Sequence, residues 1–326
     1  MLIRFGFVAI SMTLENASPS KTVTLKTFRY LAQDDPDLAL EKLRRTAQEN
    51  LDHCLRLLHY CNANHVKVFR FSSKVVPLAT HPELSHWDYI RELQPQLTKL
   101  GDFIRENKMR VTFHPDHYTL INSPREGVFK AAVADLAHHC RLFNAMGLDN
   151  HAKLIIHVGG GYNDKEAALE RFLTNWGRLP TGIASRLTLE NDDKTFTASD
   201  TLYLCEKLQI PMVLDLHHFR CNQGDGERLD DIYPRFCATW GGSGLSPKIH
   251  VSSPKCETEL RSHHDFVSPR DVYPQLVRLK TFRHGEVAVM VEAKQKDKAM
   301  FRLVEDLSKL PGIKPVDAAT IKVVEH

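Results

Sequence analysis

The sequence predicts an α/β fold of the (β/α)8 type, a single TIM barrel over residues 1–326 with long strand-to-helix loops on its C-terminal face. Three observations carry that prediction. Eight short β-type runs alternate with eight helix-length stretches, more regular units than a doubly wound sheet usually holds. The connections are unequal, short from helix to strand and often long from strand to helix. Six successive strands end on or just before a histidine or a carboxylate, which in a barrel would gather them at one rim.

The strands read in order as Leu2 to Val8, Lys67 to Phe71, Arg110 to Phe113, Lys153 to His157, Arg186 to Glu190, Pro211 to Asp215, Lys248 to Val251 and Val287 to Glu292. Each is a short apolar run of the kind a barrel buries on both faces. Between them, apolar residues three and four apart mark helices. These cover Ala39 to Cys61, Tyr89 to Asn107, Gly127 to Met146, Lys165 to Trp176, Ser199 to Leu208, Leu229 to Trp240, Pro269 to Lys280 and Lys298 to Leu310. Capping residues open two of them, Asn163-Asp164 before the fourth and Thr197-Ala-Ser-Asp200 before the fifth. The long connections are Ala9 to Leu38, Phe71 to Trp87, Pro115 to Glu126 and Ser252 to Ser268, all leaving the C-terminal ends of strands, where barrel enzymes work.

Composition bounds the function. With 43 Lys+Arg against 40 Asp+Glu the formal net charge is +3, which excludes a basic nucleic-acid-coating tail and an acidic scaffold. At 42% hydrophobic and 25% charged the chain is globular. No apolar run approaches the roughly 18 residues that cross a membrane, and the opening Met1 to Ile10 reads as a first strand, not a signal peptide. Seven cysteines without a C-x-x-C pair suit a reducing cytosol. The 18 histidines are the unusual feature.

His114, His157, Glu190, Asp215, His250 and Glu292 close the third to eighth strands. Three imidazoles and three carboxylates converging at one mouth would be costly without cations among them, so the set predicts a metal centre. A mixed His/carboxylate set suits zinc, manganese or iron, and a central bridging carboxylate suits more than one ion. His218 and His263 extend the set, while their neighbours His217 and His264 should point elsewhere. Lys248 lies two residues before His250 on the same strand face, an amine aimed at cations. It needs a neighbouring carboxylate, loss of its proton by burial, or carboxylation to a bridging anion.

The stretches Phe5-Gly-Phe7, Ser18-Pro-Ser-Lys-Thr22, Phe69-Arg-Phe-Ser-Ser73, Val76-Pro-Leu-Ala-Thr-His-Pro82, Phe113-His-Pro115, Leu189-Glu-Asn-Asp-Asp-Lys194, Asp215-Leu-His-His-Phe219, Pro247-Lys-Ile-His-Val-Ser-Ser-Pro254, Ser262-His-His264 and Glu292-Ala-Lys-Gln-Lys-Asp-Lys298 resemble the UV damage endonuclease family, itself similar to the endonuclease IV type of barrel. The resemblance runs over nearly the whole chain in the same order.

It implies that His114, His157, Glu190, Asp215, His218, His250, His263 and Glu292 hold up to three divalent ions, typically Mn²⁺, with Glu190 bridging, and that Lys248 is N6-carboxylated. It implies a monomeric enzyme acting on damaged double-stranded DNA in the cytoplasm, or at the nucleoid if the source is a prokaryote. The expected reaction nicks immediately 5′ of pyrimidine dimers and 6-4 photoproducts, and near abasic sites in many members, leaving a 3′-hydroxyl and a 5′-phosphate. Glu190, Lys248, His250 and Glu292 would be catalytic. His117 and Tyr118 match the pair pushed into the duplex opposite the lesion, His117 standing where glutamine is expected. Phe7, in place of a tyrosine, would touch the lesion, and Lys21, Arg70, Lys74, Lys255 and Lys294, read as loop residues, would neutralise phosphates. The competing readings are a metal-dependent sugar isomerase or epimerase on a similar barrel, which would not explain the His117-Tyr118 insertion, and a non-catalytic binding module.

Overall fold

The computed structural model describes residues 1–282 and 285–324. Strands β1 (Leu2–Val8), β2 (Val68–Phe71), β3 (Arg110–Phe113), β4 (Lys153–His157), β5 (Leu187–Glu190), β6 (Met212–Asp215), β7 (Lys248–Val251) and β8 (Glu286–Val291) pair in sequence order, all parallel, and β8 and β2 both pair with β1 to close the barrel. The closure is tight at Gly6, where a Cβ would lie 2.1 Å from the Val68 carbonyl oxygen, so only glycine allows this approach.

Around the strands run α1 (Leu25–Asp34), α2 (Pro36–Ala63), α3 (Tyr89–Glu106), α4 (Glu126–Ala145), α5 (Lys165–Trp176), the single turn α6 (Thr181–Ala184), α7 (Ala198–Leu208), α8 (Leu216–Cys221), α9 (Leu229–Ala238), α10 (Pro269–Lys280) and α11 (Lys296–Ser308). The main hydrophobic core lies between strands and helices. Inside the barrel a small separate apolar cluster, Val68, Ala288 and Met290, lies alongside polar side chains such as Thr112, Thr188 and Lys248.

The eight strands and eight principal helices fall where the sequence places them, within a few residues. Five of the elements named are additional, the single turn α6 among them. The Ala9 to Leu38 connection contains α1, whose apolar residues Leu25, Phe28, Leu31 and Ala32 are spaced for a helix that the sequence reading passed over as loop. The short α8 follows β6 directly, capped by Asp215. The hairpin of β9 (Ile313–Asp317) and β10 (Thr320–Val323) pairs antiparallel with the start of β1, Leu2 opposite Lys322, at the end of the barrel away from the strand-end ligands. Among the described residues no helix is long and apolar enough to cross a membrane.

Candidate metal centre and active site

The strand ends assemble two overlapping groups of possible ligands. In one, His114, His157 and Glu190 offer ligand atoms within 4.8 Å of one another; in the other, Glu190, Asp215, His250 and Glu292 do the same. Glu190 belongs to both. It is 1% exposed, with Oε2 2.9 Å from His114 Nε2 and Oε1 2.9 Å from His250 Nδ1. Burial alone would push its carboxyl up, but the imidazoles of His250, His157 and His114 outweigh that and hold it well below the usual carboxylate range.

The surroundings orient these side chains for metal. Nδ1 of His114, His157 and His218 faces the backbone carbonyls of Pro115 (3.1 Å), Glu190 (3.3 Å) and Asn191 (2.9 Å). A ring whose Nδ1–H donates to a carbonyl keeps Nε2 free as a ligand, the usual outer-shell arrangement around a metal. Asp215 divides its carboxylate: Oδ1 accepts from the backbone N–H groups of His217 and His218, both at 2.7 Å, and Oδ2 has no hydrogen-bond partner among the described residues. His250 Nε2 is likewise buried without a partner. An orphaned buried carboxylate oxygen is costly, and a divalent cation would satisfy Asp215 Oδ2, while His250 meets the carboxylates of Glu190 and Glu292 through Nδ1. The donor set therefore fits the metal that the sequence predicts.

His218 lies at the same centre, its Nδ1 3.6 Å from Glu190 and 3.7 Å from Asp215. His263 is not brought into either group among the described residues; its ring stands edge-on to His217, centroids 5.3 Å apart. Lys248 is fully buried, and its amine donates to Thr112 Oγ1 at 3.1 Å, with no carboxylate within 4 Å among the described residues. Burial first, then the guanidinium groups of Arg110 and Arg70, push the amine well below the usual lysine range. The salt-bridge explanation of this lysine is thereby removed.

Arg70 corrects the reading of it as a loop residue. It sits in β2, and its guanidinium pairs with Glu292, both side chains only 12% exposed. Phe7 also departs from expectation. Alternation turns it outward from β1 into the helix layer, where it is fully buried edge-on to Phe69 and Tyr60, so it presents no surface to DNA.

Tyr118 is the reverse case, 72% exposed with the His117 ring against it at 3.9 Å. Of the expected phosphate contacts, Lys21 pairs with Glu49, Lys255 with Glu259 at 2.7 Å, and Lys74 approaches Asp116 at 3.8 Å, while Lys294 is exposed. Two supporting residues escape the sequence reading. Asn191, buried, exchanges two hydrogen bonds with the Asp215 backbone at 2.9 Å each, and Asn122, buried, clamps Gly160 through its N–H and C=O. Asn191 adjoins Glu190 in a polar run, which is a signal; Asn122 carries none.

The profile of the family described as UV-endonuclease UvdE matches residues 3–323. The chain belongs to that family. A relative from Bacillus velezensis called UV DNA damage endonuclease is 43% identical over 322 residues, 99% of both chains. One from Bacillus cereus with the same name is 40% identical over 99% of this chain and 100% of its own. Among solved structures, SacUVDE is 30% identical, with a TM-score of 0.81 over 94% of this chain and 100% of that one. Endonuclease IV from Thermus thermophilus, 14% identical with a TM-score of 0.53 over 89% and 92% of the two chains, shares the fold.

Proposed function

We propose that this protein is a metal-dependent DNA repair endonuclease that nicks duplex DNA immediately 5′ of pyrimidine dimers and 6-4 photoproducts, and near abasic sites, leaving a 3′-hydroxyl and a 5′-phosphate. The observation that carries the reading is Glu190 shared by two ligand groups at the barrel mouth of a UvdE family member. His114, His157, Asp215, His218, His250 and Glu292 would hold the ions with Glu190 between them, and manganese suits the mixed nitrogen and oxygen donors. When bound, such ions supply a nucleophile at neutral pH and neutralise charge on the phosphate and the leaving oxygen. The protein's own part is orientation. Backbone carbonyls fix the imidazole rings, Asn191 fixes Asp215, and Arg70 holds Glu292 in place.

Lys248, kept from its usual ammonium form by burial, is proposed to carry a carboxyl group on its amine, which would make it an anionic ligand. ¹³C-bicarbonate added to protein loaded with diamagnetic Zn²⁺ should give a carbamate resonance that is missing from Lys248→Ala; its absence from the wild type would reject the modification. Tyr118 is proposed as the side chain entering the duplex, because it is exposed and its loop is anchored behind it. The damaged duplex is the expected partner, and a monomer suffices for this chemistry. The reading is tested by incubating protein and Mn²⁺ with a duplex carrying one pyrimidine dimer and mapping the cut. A nick directly 5′ of the dimer is expected; metal-loaded protein without lesion-dependent nicking would reject it.

A further inference from the structure

We infer that Lys296 is a further substrate-binding residue of the incision site, its ammonium group holding a non-bridging oxygen of a DNA phosphate beside the ligand cluster. The inference rests on the endonuclease reading above and deepens it. Lys296 opens α11, four residues after Glu292, in the turn that leaves the eighth strand at the barrel mouth. Its side chain is partly buried, and among the described residues its amine has neither a hydrogen-bond acceptor nor an ion-pair partner. The charges that act on it are the Arg70 guanidinium and the Glu292 carboxylate, the ion pair at that mouth. Burial first, then Arg70, push the amine below the usual lysine range, with Glu292 opposing them.

The backbone fixes this placement. Lys296 is held at φ 47°, in the left-handed region that lysine seldom occupies, and such strain persists only where the surroundings enforce it. On one side, the Lys294 and Gln295 N–H groups donate to the His264 and Asp265 carbonyls at 3.2 and 3.0 Å, which ties the turn to the long loop after β7. On the other, the buried Asp297 carboxylate accepts from Ser11 Oγ at 2.7 Å, the Met12 N–H at 2.6 Å and Tyr60 Oη at 2.9 Å. Other lysines of this chain give their amines to a carboxylate one turn away, as Lys255 does to Glu259 and Lys309 to Glu305. Lys296 has no such carboxylate, and a partly desolvated cation close to a second cation is costly. An anion arriving at the mouth offsets that cost, and DNA brings one at every nucleotide. Arg70 is already committed to Glu292, so of these two cations Lys296 is the one left to meet it.

The test measures Mn²⁺-supported nicking of a duplex with one pyrimidine dimer by wild type, Lys296→Met, Lys296→Arg and Lys298→Met, the last an exposed lysine on the same helix. The same duplex is then made with one uncut phosphate at a time replaced by a neutral methylphosphonate. For Lys296→Met, kcat/KM should fall about thirtyfold, the range of a charge-assisted hydrogen bond, and the slope of log kcat/KM against log salt should become shallower by about one. At one position close to the cut, the methylphosphonate should slow the wild type by a similar factor and slow Lys296→Met no further. Lys296→Arg should keep the slope and most of the rate, Lys298→Met should behave as wild type, and metal content should be the same in all four. No loss in Lys296→Met, a loss with the salt slope unchanged, additive effects at every substituted phosphate, or an equal loss in Lys298→Met would overturn the inference. Lys296→Arg reads the role of the charge even where methionine disturbs packing. A wild type that does not nick the dimer duplex would instead count against the endonuclease reading.

Discussion

At the residue scale the site is arranged around charge that cannot be left alone. Glu292 is held from one side by Arg70 and from the other by His250 Nδ1 at 3.1 Å, with burial opposing its ionisation and the Arg70 guanidinium outweighing it. Removing Arg70 would leave a nearly buried carboxylate with one fewer partner and a changed position. Arg70→Ala is therefore expected to lower nicking by about a hundredfold while leaving the salt slope of DNA binding unchanged, since the guanidinium faces Glu292 and not solvent. A slope reduced by about one would instead make Arg70 a phosphate contact. The strand-end residues were legible in the sequence because a ligand type closes six successive apolar runs. The partners of Arg70 and Lys248 were not, because Arg70 to Glu292 and Lys248 to Thr112 are pairings across the barrel interior that no local pattern encodes.

At the element scale, the loop from Pro115 to Arg125 is stiff behind a free tip. Thr119 Oγ1 donates to Asp135 at 2.7 Å, Asn175 donates to the Ile121 carbonyl at 2.8 Å, and Asn122 brackets Gly160 in the loop that follows His157. Gly159 sits at φ 123°, and a Cβ there would be 2.2 Å from Asn122 Oδ1, so the two loops are fitted to one another. Asn122→Ala should speed amide exchange over residues 118–122 and 159–161 and lower nicking about tenfold, with metal content retained. Unchanged exchange would mean that other contacts hold the loop.

The helix layer makes a separate prediction. His138 of α4 is 2% exposed, with Nδ1 2.8 Å from Tyr89 Oη of α3. Burial first, then the His139 and Arg141 charges, hold its pKa well below 6.5. The unfolded chain then binds a proton here at a pH where the folded chain does not, so stability is lost as pH falls below about 6.5. The fall in Tm from pH 7.5 to 5.5 should be smaller in His138→Gln than in wild type; an equal fall would assign the acid sensitivity elsewhere.

At the scale of the whole molecule the two ends of the barrel differ. Of the seven exposed large hydrophobic residues among those described, Met12, Tyr118, Tyr162 and Leu260 stand on strand-to-helix connections and Tyr30 on α1, which lies within the first of them. The opposite end is closed by the β9–β10 hairpin, which occupies the edge of β1 that β2 leaves free. The barrel was legible because parallel strands buried on both faces read as apolar runs. The hairpin was not, because Pro315 interrupts β9 and three of its five residues are exposed; α1 was legible in its apolar spacing but was passed over inside a long connection.

The central claim is that Glu190 joins the ligands into one metal centre on which incision depends. It is tested most directly by measuring bound Mn²⁺ and lesion-dependent nicking on the same preparations of wild type and Glu190→Ala. The account predicts that the wild type binds more than one ion and nicks 5′ of the dimer, and that the variant, still folded, loses most of its metal and its nicking together. A variant that keeps either full metal content or full nicking would contradict it.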